Sequence, residues 1–172
     1  MQETPKHQGD DLGTSMKLGM RRLASGVSVL STRTDNGDRF AMTVSSVTSV
    51  SDNPASLLVC VNKQVALEGH LSTLGTPFAI NILASEQRDI SNLCAGFMGD
   101  EPRFSLGDWR QGRDSVPYLA DAQATFFCES DQVTTYGTHH IVIARIVEVV
   151  LGELRVDPLV YVDGGYASIR RD

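Results

Sequence analysis

Phe40-Ala41-Met42-Thr43-Val44-Ser45-Ser46-Val47-Thr48-Ser49-Val50-Ser51-Asp52-Asn53-Pro54 sets the class of the whole chain. Ten of these fifteen residues are small, hydroxylated or β-branched. Phe, Val and Thr suit a half-buried pleated strand, and the closing Ser-Asp-Asn-Pro suits a turn. Thr43, Ser45, Ser46, Thr48, Ser49 and Ser51 bring hydroxyls and backbone N–H groups but no charge. Such a surface can hydrogen-bond a planar polar heterocycle and a phosphate without doing acid–base chemistry itself. The same composition also describes a solvated sheet face, so the stretch fixes a strand before it fixes a site.

Strand patterns continue on both sides of it. Val27–Thr32 alternates, and Asp35-Asn36-Gly37-Asp38 reads as a tight hairpin of type I′, whose positive φ Asn-Gly tolerates. Ser56–Val61 is a continuous apolar strand and Phe78–Leu83 another. Ala122–Glu129 alternates, His139–Leu151 is rich in Ile and Val, and Leu159–Val162 and Tyr166–Ile169 flank Asp163-Gly164-Gly165. Three helices are expected. Met16–Ala24 is short and amphipathic, Val65–Leu74 places Leu67, Leu71 and Leu74 on one face, and a third runs from a Ser85 cap to about Leu93. Ala95–Ser115 is a long irregular loop carrying Phe97, Phe104 and Trp109, and Met1–Ser15 a mobile tail. Strands outnumber helices and no βαβ alternation develops. The fold class is therefore mainly β, a closed antiparallel barrel with a few peripheral helices.

A chain of 172 residues, 41% hydrophobic and 21% charged, is sized for one domain with its own core. A net charge of −6 argues against nucleic acid or an anionic membrane surface as partner. It leaves room for a phosphate-bearing cofactor held locally. Cys60, Cys94 and Cys128 are isolated, without C-x-x-C spacing, and read as small structural hydrophobes in a reducing cytoplasm. No apolar run approaches the ~18–20 residues a spanning helix needs.

Several chemistries are missing from the sequence. There is no strand–GxGxxG–helix, no GxxxxGK[ST] loop and no G-x-S-x-G elbow. Adjacent His139 and His140 point to opposite faces of one strand and cannot share a metal.

The residues resemble a known family at six places in the same order. These are Ala24-Ser25-Gly26-Val27, Met42-Thr43-Val44-Ser45-Ser46 with Thr48-Ser49-Val50-Ser51 and Pro54, Leu57–Val61, Phe78–Leu83, Gly137-Thr138-His139, and Pro158-Leu159-Val160-Tyr161 with Gly164-Gly165-Tyr166. Together they resemble the short-chain flavin reductases, the reductase components of two-component flavin-dependent monooxygenases. The likeness makes residues 16–172 a flavin reductase-like domain. It implies an antiparallel Greek-key split β-barrel that forms a homodimer and binds FAD or FMN. NADH is the implied hydride donor. The reduced flavin is implied to diffuse to a partner monooxygenase of aromatic-compound degradation or biosynthesis.

Carried over residue by residue, the resemblance gives Met42, Thr43, Val44, Ser45, Ser46 and Ser51 to the flavin. Cys60, Val61 and Asn62 meet it from the neighbouring strand, and Lys63 faces the phosphate with help from Arg88. Phe104 covers the ring, and His139 and Tyr166 serve NADH. The shortage of a catalytic constellation fits, because hydride transfer between flavin and nicotinamide needs orientation rather than a protein base. Two departures stand out. Thr138 replaces a carboxylate beside the histidine, and Val65-Ala66 replaces small hydroxyl residues that commonly help hold the flavin phosphate. A non-catalytic flavin-binding or flavin-carrier protein on the same barrel is the alternative. An oxidase of pyridoxine phosphate would want a denser set of arginines and lysines.

Overall fold

The computed structural model describes residues 12–65, 68–152 and 155–170. In chain order the elements are α1 (Leu12–Met20), β1 (Ser25–Gly26), β2 (Ser28–Arg33), β3 (Arg39–Val44), β4 (Thr48–Asp52), β5 (Ala55–Asn62), α2 (Glu68–Leu71), β6 (Pro77–Ile82), α3 (Arg88–Cys94), β7 (Trp109–Gln111), a 3₁₀ turn (Arg113–Ser115), β8 (Pro117–Leu119), β9 (Ala124–Tyr136), β10 (His139–Leu151), β11 (Val160–Val162) and β12 (Gly165–Ala167).

Seven strands form one antiparallel sheet in the order β3-β2-β6-β9-β10-β5-β4. Its two outermost strands, β3 and β4, are consecutive in the chain and joined only by Ser45, Ser46 and Val47. Laid flat, six inter-strand spacings would separate them by roughly 29 Å. A link of that length reaches only about 14 Å from Val44 to Thr48. The sheet must therefore curl until its edges meet, and the result is a split β-barrel. A three-stranded β1-β11-β12 sheet and the β7-β8 hairpin lie outside it.

Alternation sorts the side chains of the barrel wall. Leu30, Val44, Leu57, Val59, Val61, Phe78, Ile80 and Val142 fill the interior. The opposite faces of β2 and β3 send Val29 and Ala41 outward, where Ile90 and Cys94 of α3 and Leu119 of β8 cover them. Each large side chain so buried contributes roughly 1.5–3 kcal/mol. One polar residue sits in the middle of this packing. Asn81, fully buried on β6, donates from Nδ2 to Val29 O and Ser31 Oγ, both at 2.9 Å. Its Oδ1 accepts from the Leu119 N–H at 2.9 Å and from Thr125 Oγ1 at 3.1 Å. All four hydrogen-bonding positions of the amide are thereby used, and four strands are tied to one side chain.

The hydroxyl-rich stretch does form two strands, and the turn at Asn53-Pro54 joins β4 to β5. His139–Leu151 is strand throughout. Several local expectations change. Gly37 alone takes positive φ in the β2–β3 turn, at +91°, so Asn36 does not make it type I′. α1 starts at Leu12, four residues before the expected helix and inside the expected tail; residues 1–11 of that tail lie outside the described residues. α2 has four residues, far short of Val65–Leu74, and residues 66 and 67 lie outside the described residues. Ser85 does not cap α3: its hydroxyl donates to Asp157 Oδ2 at 2.8 Å, and the helix begins at Arg88. Gln87 precedes the helix and turns back to accept the Ala84 N–H. Long-range pairing with residue 157 has taken the cap away.

Cys94 and Cys128 are buried, and burial pushes their thiols up to about 11 and about 12, with Arg103 pulling the first partly back. Both are protonated and unreactive at neutral pH. Among the described residues no helix is long and apolar enough to cross a membrane.

Candidate functional site

Where the sheet meets itself, the ladder is incomplete. β4 covers β5 only up to Leu58, opposite Thr48. Beyond that point a single side chain bridges the seam. Ser46 Oγ accepts the Cys60 N–H at 3.0 Å and donates to Cys60 O at 3.2 Å. Among the described residues β3 is an edge strand paired only with β2, which leaves its other row of N–H and C=O groups without a ladder partner. Exposed strand edges are obligatory hydrogen-bonding groups in search of a partner. A flat heterocycle with alternating donors and acceptors is such a partner.

A cavity of about 760 Å³ opens beside the seam, within the usual size of small-molecule sites. Ser45, Ser46, Val47 and Thr48 form one wall, Ser25 and Gly26 of β1 another, and Tyr161 to Gly164 a third. β1 and β11 come together by pairing Ser25 with Tyr161 and Gly26 with Val160. The third wall is clasped by Arg21, which donates to Asp163 O at 3.0 Å while the Asp163 N–H returns a bond to Arg21 O at 2.6 Å. Asp163 and Gly164 take φ of +50° and +78°, which turns β11 back into β12. Met16 and Met20 of α1 close the rim.

The expected site residues fall into three groups. Ser45 and Ser46 line the cavity. Cys60, Asn62 and Lys63 are half-buried at the end of β5, and His139 lies directly opposite Asn62 across the β5–β10 ladder. The Lys63 N–H donates to Thr138 O at 3.0 Å, which locks this corner to the β9–β10 turn. His139 Nδ1 lies 2.9 Å from Thr138 Oγ1, so the hydroxyl does the orienting that an absent carboxylate would have done. Nε2 has no partner among the described residues.

The second group surrounds α3. Thr43 Oγ1 donates to Ser91 O at 2.7 Å, Tyr166 Oη reaches Asn92 Oδ1 at 2.7 Å and Ser91 Oγ at 2.9 Å, and the Arg88 guanidinium lies 4.8 Å from the centroid of the Tyr166 ring. The Tyr166 hydroxyl is thus held inside the protein. The third group is Phe104, edge-on to Trp109 with centroids 4.7 Å apart and lining a smaller cavity.

Not every expected side chain can touch a ligand. Val61 and Val44 are buried in the barrel and Met42 packs against the same core, so these three can offer only main-chain groups. Ser51 lies opposite Ser56, at the far end of β5 from Cys60, and accepts the Asn53 N–H at 3.1 Å. Ser25, Gly26, Tyr161 and Asp163 were not assigned roles from the sequence. The resemblance contains the first three, but only strand pairing shows that they share a cavity with Ser45.

Comparison with known proteins gives the family. The family model described as flavin reductase like domain matches residues 20–170. The reductase component of an FADH(2)-dependent resorcinol hydroxylase from Rhizobium sp. (strain MTP-10005) is 35% identical, over 92% of this chain and 88% of that one. An FMN reductase (NADH), RutF, from Pseudomonas syringae pv. syringae (strain B728a) is 33% identical over 83% of this chain and 78% of its own length. Among solved structures, the styrene monooxygenase flavin reductase of Pseudomonas putida S12 superposes with a TM-score of 0.80 at 26% identity, covering 92% of this chain and 99% of that one. With a barrel open along one seam, a cavity beside it and a family match over residues 20–170, the chain belongs to the flavin reductase like family.

Proposed function

We propose that the protein is an NADH-dependent flavin reductase. It binds FAD or FMN along the β3–β5 seam, passes a hydride from NADH to it, and releases reduced flavin to a partner flavin-dependent monooxygenase. The observation that carries this is the seam itself, where the edge strand β3 is bridged to β5 by Ser46 beside a cavity of about 760 Å³ with the hydroxyls of Ser45, Ser46 and Thr48 on one wall. The bound flavin supplies the hydride acceptor. The chain's own residues orient the reactants. β3, Ser45 and Ser46 hold the heterocycle, Lys63 stands near the negative end, and His139, fixed by Thr138, positions the nicotinamide.

Purified protein mixed with NADH and either FAD or FMN should oxidise NADH rapidly, followed by its absorbance. Tight flavin binding with no NADH oxidation would leave only a flavin carrier. Ser46→Leu tests the seam. It removes the two bonds to Cys60 and puts bulk into the cavity wall, so flavin affinity should fall about tenfold or more. Quenching of flavin fluorescence measures it, with circular dichroism confirming the fold. An unchanged affinity would move the flavin away from this strand.

We further propose a homodimer acting in the cytoplasm. Leu12, Met16, Leu18, Met20 and Leu23 are all more than half exposed beside the cavity, an apolar surface that a symmetric second copy would cover. Light scattering from a fully active monomer would overturn the dimer. The three cysteines are free thiols, as a reducing compartment keeps them. Recovery of the native protein from the periplasmic fraction of its cells would overturn the location.

A further inference from the structure

A second cavity, of about 330 Å³, opens toward the start of β3, and its lining includes Arg39 and Arg103. Arg39 is exposed at the first position of the strand, and its guanidinium lies 4.4 Å from the centroid of the Phe104 ring. Arg103 donates to the carbonyl of Cys94, the last residue of α3. Among the described residues neither arginine is paired with a carboxylate. The remaining lining is apolar, including Ala41, Val65 and Pro102. The cavity lining thus offers two positive charges, two aromatic rings (Phe40 and Phe104) and no carboxylate. That chemistry suits an anion, and a phosphate above all, since a guanidinium matches its geometry.

Its location gives the anion a context. Arg39 and Ala41 belong to the strand that leads directly to Ser45 and Ser46 in the wall of the larger cavity. The six residues of β3 span roughly 17 Å. An elongated ligand along the strand's free edge would have its uncharged, hydrogen-bonding head at the serines and its charged tail toward the arginines. Val65, on the same cavity, brings no hydroxyl to hydrogen-bond that tail, so the arginines are its polar partners there. The guanidinium of Arg39 is already ordered over Phe104, so less freedom is lost when it takes a ligand.

We propose that Arg39, held over Phe104 and assisted by Arg103, binds the phosphate of the flavin and makes the enzyme prefer phosphorylated flavins to riboflavin. This rests on the flavin reductase reading above. The test titrates riboflavin and FMN by fluorescence quenching into the wild type, Arg39→Ala and Arg39→Lys. The exposed Arg39 side chain can be replaced without disturbing the core. Wild-type protein should bind FMN at least about tenfold more tightly than riboflavin, an advantage that shrinks with added salt. Arg39→Ala should raise the Kd for FMN about tenfold and leave that for riboflavin within about twofold. Arg39→Lys, which keeps the charge but not the planar fork, should fall between. An unchanged FMN Kd in Arg39→Ala overturns the proposal, and so does an equal loss for both flavins, which would make Arg39 a packing partner of Phe104. Absence of NADH oxidation by the wild type would sink the reductase reading alone, because the two Kd values still decide the role of Arg39.

Discussion

Replacing Asn81 by Leu should cost about 3–4 kcal/mol of folding stability and lower the thermal midpoint by about 10 °C. Leucine fills much of the same space, so the loss is not chiefly a cavity. It comes from the groups the amide had satisfied. The Leu119 N–H, Val29 O, Ser31 Oγ and Thr125 Oγ1 all lie in buried surroundings and all bond Asn81. Each buried group left unsatisfied costs about 1–3 kcal/mol. Ser31 and Thr125 can partly relax, since Ser31 Oγ already donates to Pro117 O at 2.6 Å. Urea unfolding followed by circular dichroism measures the change, and a loss below about 1 kcal/mol would show that water or side-chain rotation rescues the network. The effect should reach the site only indirectly, because Asn81 ties β2, β6, β8 and β9 together rather than the seam.

His139→Ala should separate the two substrates. The imidazole stands at the end of β10 beside Asn62 and Lys63, with Nδ1 already engaged by Thr138. Removing it should raise the KM for NADH about tenfold and lower kcat several-fold, while flavin affinity stays within about twofold. Hydride transfer needs donor and acceptor within about 3–3.5 Å, so a loosened nicotinamide loses rate as well as affinity. No steep new pH dependence should appear, since the role proposed for the residue is to orient the nicotinamide and not to transfer a proton. Steady-state kinetics at saturating flavin decides it. Wild-type NADH parameters in a folded His139→Ala protein would reduce His139 to scaffold. His140 gives the matching control: its ring is buried and bonded to Thr135, so its replacement should lower stability with little selective effect on NADH.

The barrel was legible because its strands are long and their periodicity is undiluted. His139–Leu151 and the core of Ala55–Asn62 read correctly from Ile, Val and Leu alone. The helices read poorly because tertiary partners overrode local preference. Ser85 looks like a cap in sequence, but Asp157, seventy-two residues away, claims its hydroxyl. Part of the candidate site was legible as well. Ser45 and Ser46 stand out as uncharged hydroxyls after a strand, and they do line the main cavity. The walls opposite them come from residues 25–26 and 161–164, and only the β1–β11 pairing brings those segments together. Arg39 was missed for a simpler reason. Beside Asp38 at the end of a hairpin it reads as a solvated charge, and its place over Phe104 depends on a residue sixty-five positions further on.

The seam bridged by Ser46 ties ligand occupancy to the integrity of the whole fold. A molecule that completes the β3–β5 ladder binds the closed barrel and has nothing to grip once the strands separate. By mass action, such a ligand at one hundred times its Kd adds about 2.7 kcal/mol to the stability of the folded chain. The empty protein is then its own weakest form. A reductase that handed its flavin away with each turnover, as proposed, would pass through that form every cycle, and its resistance to heat and proteolysis would then follow the supply of free flavin around it.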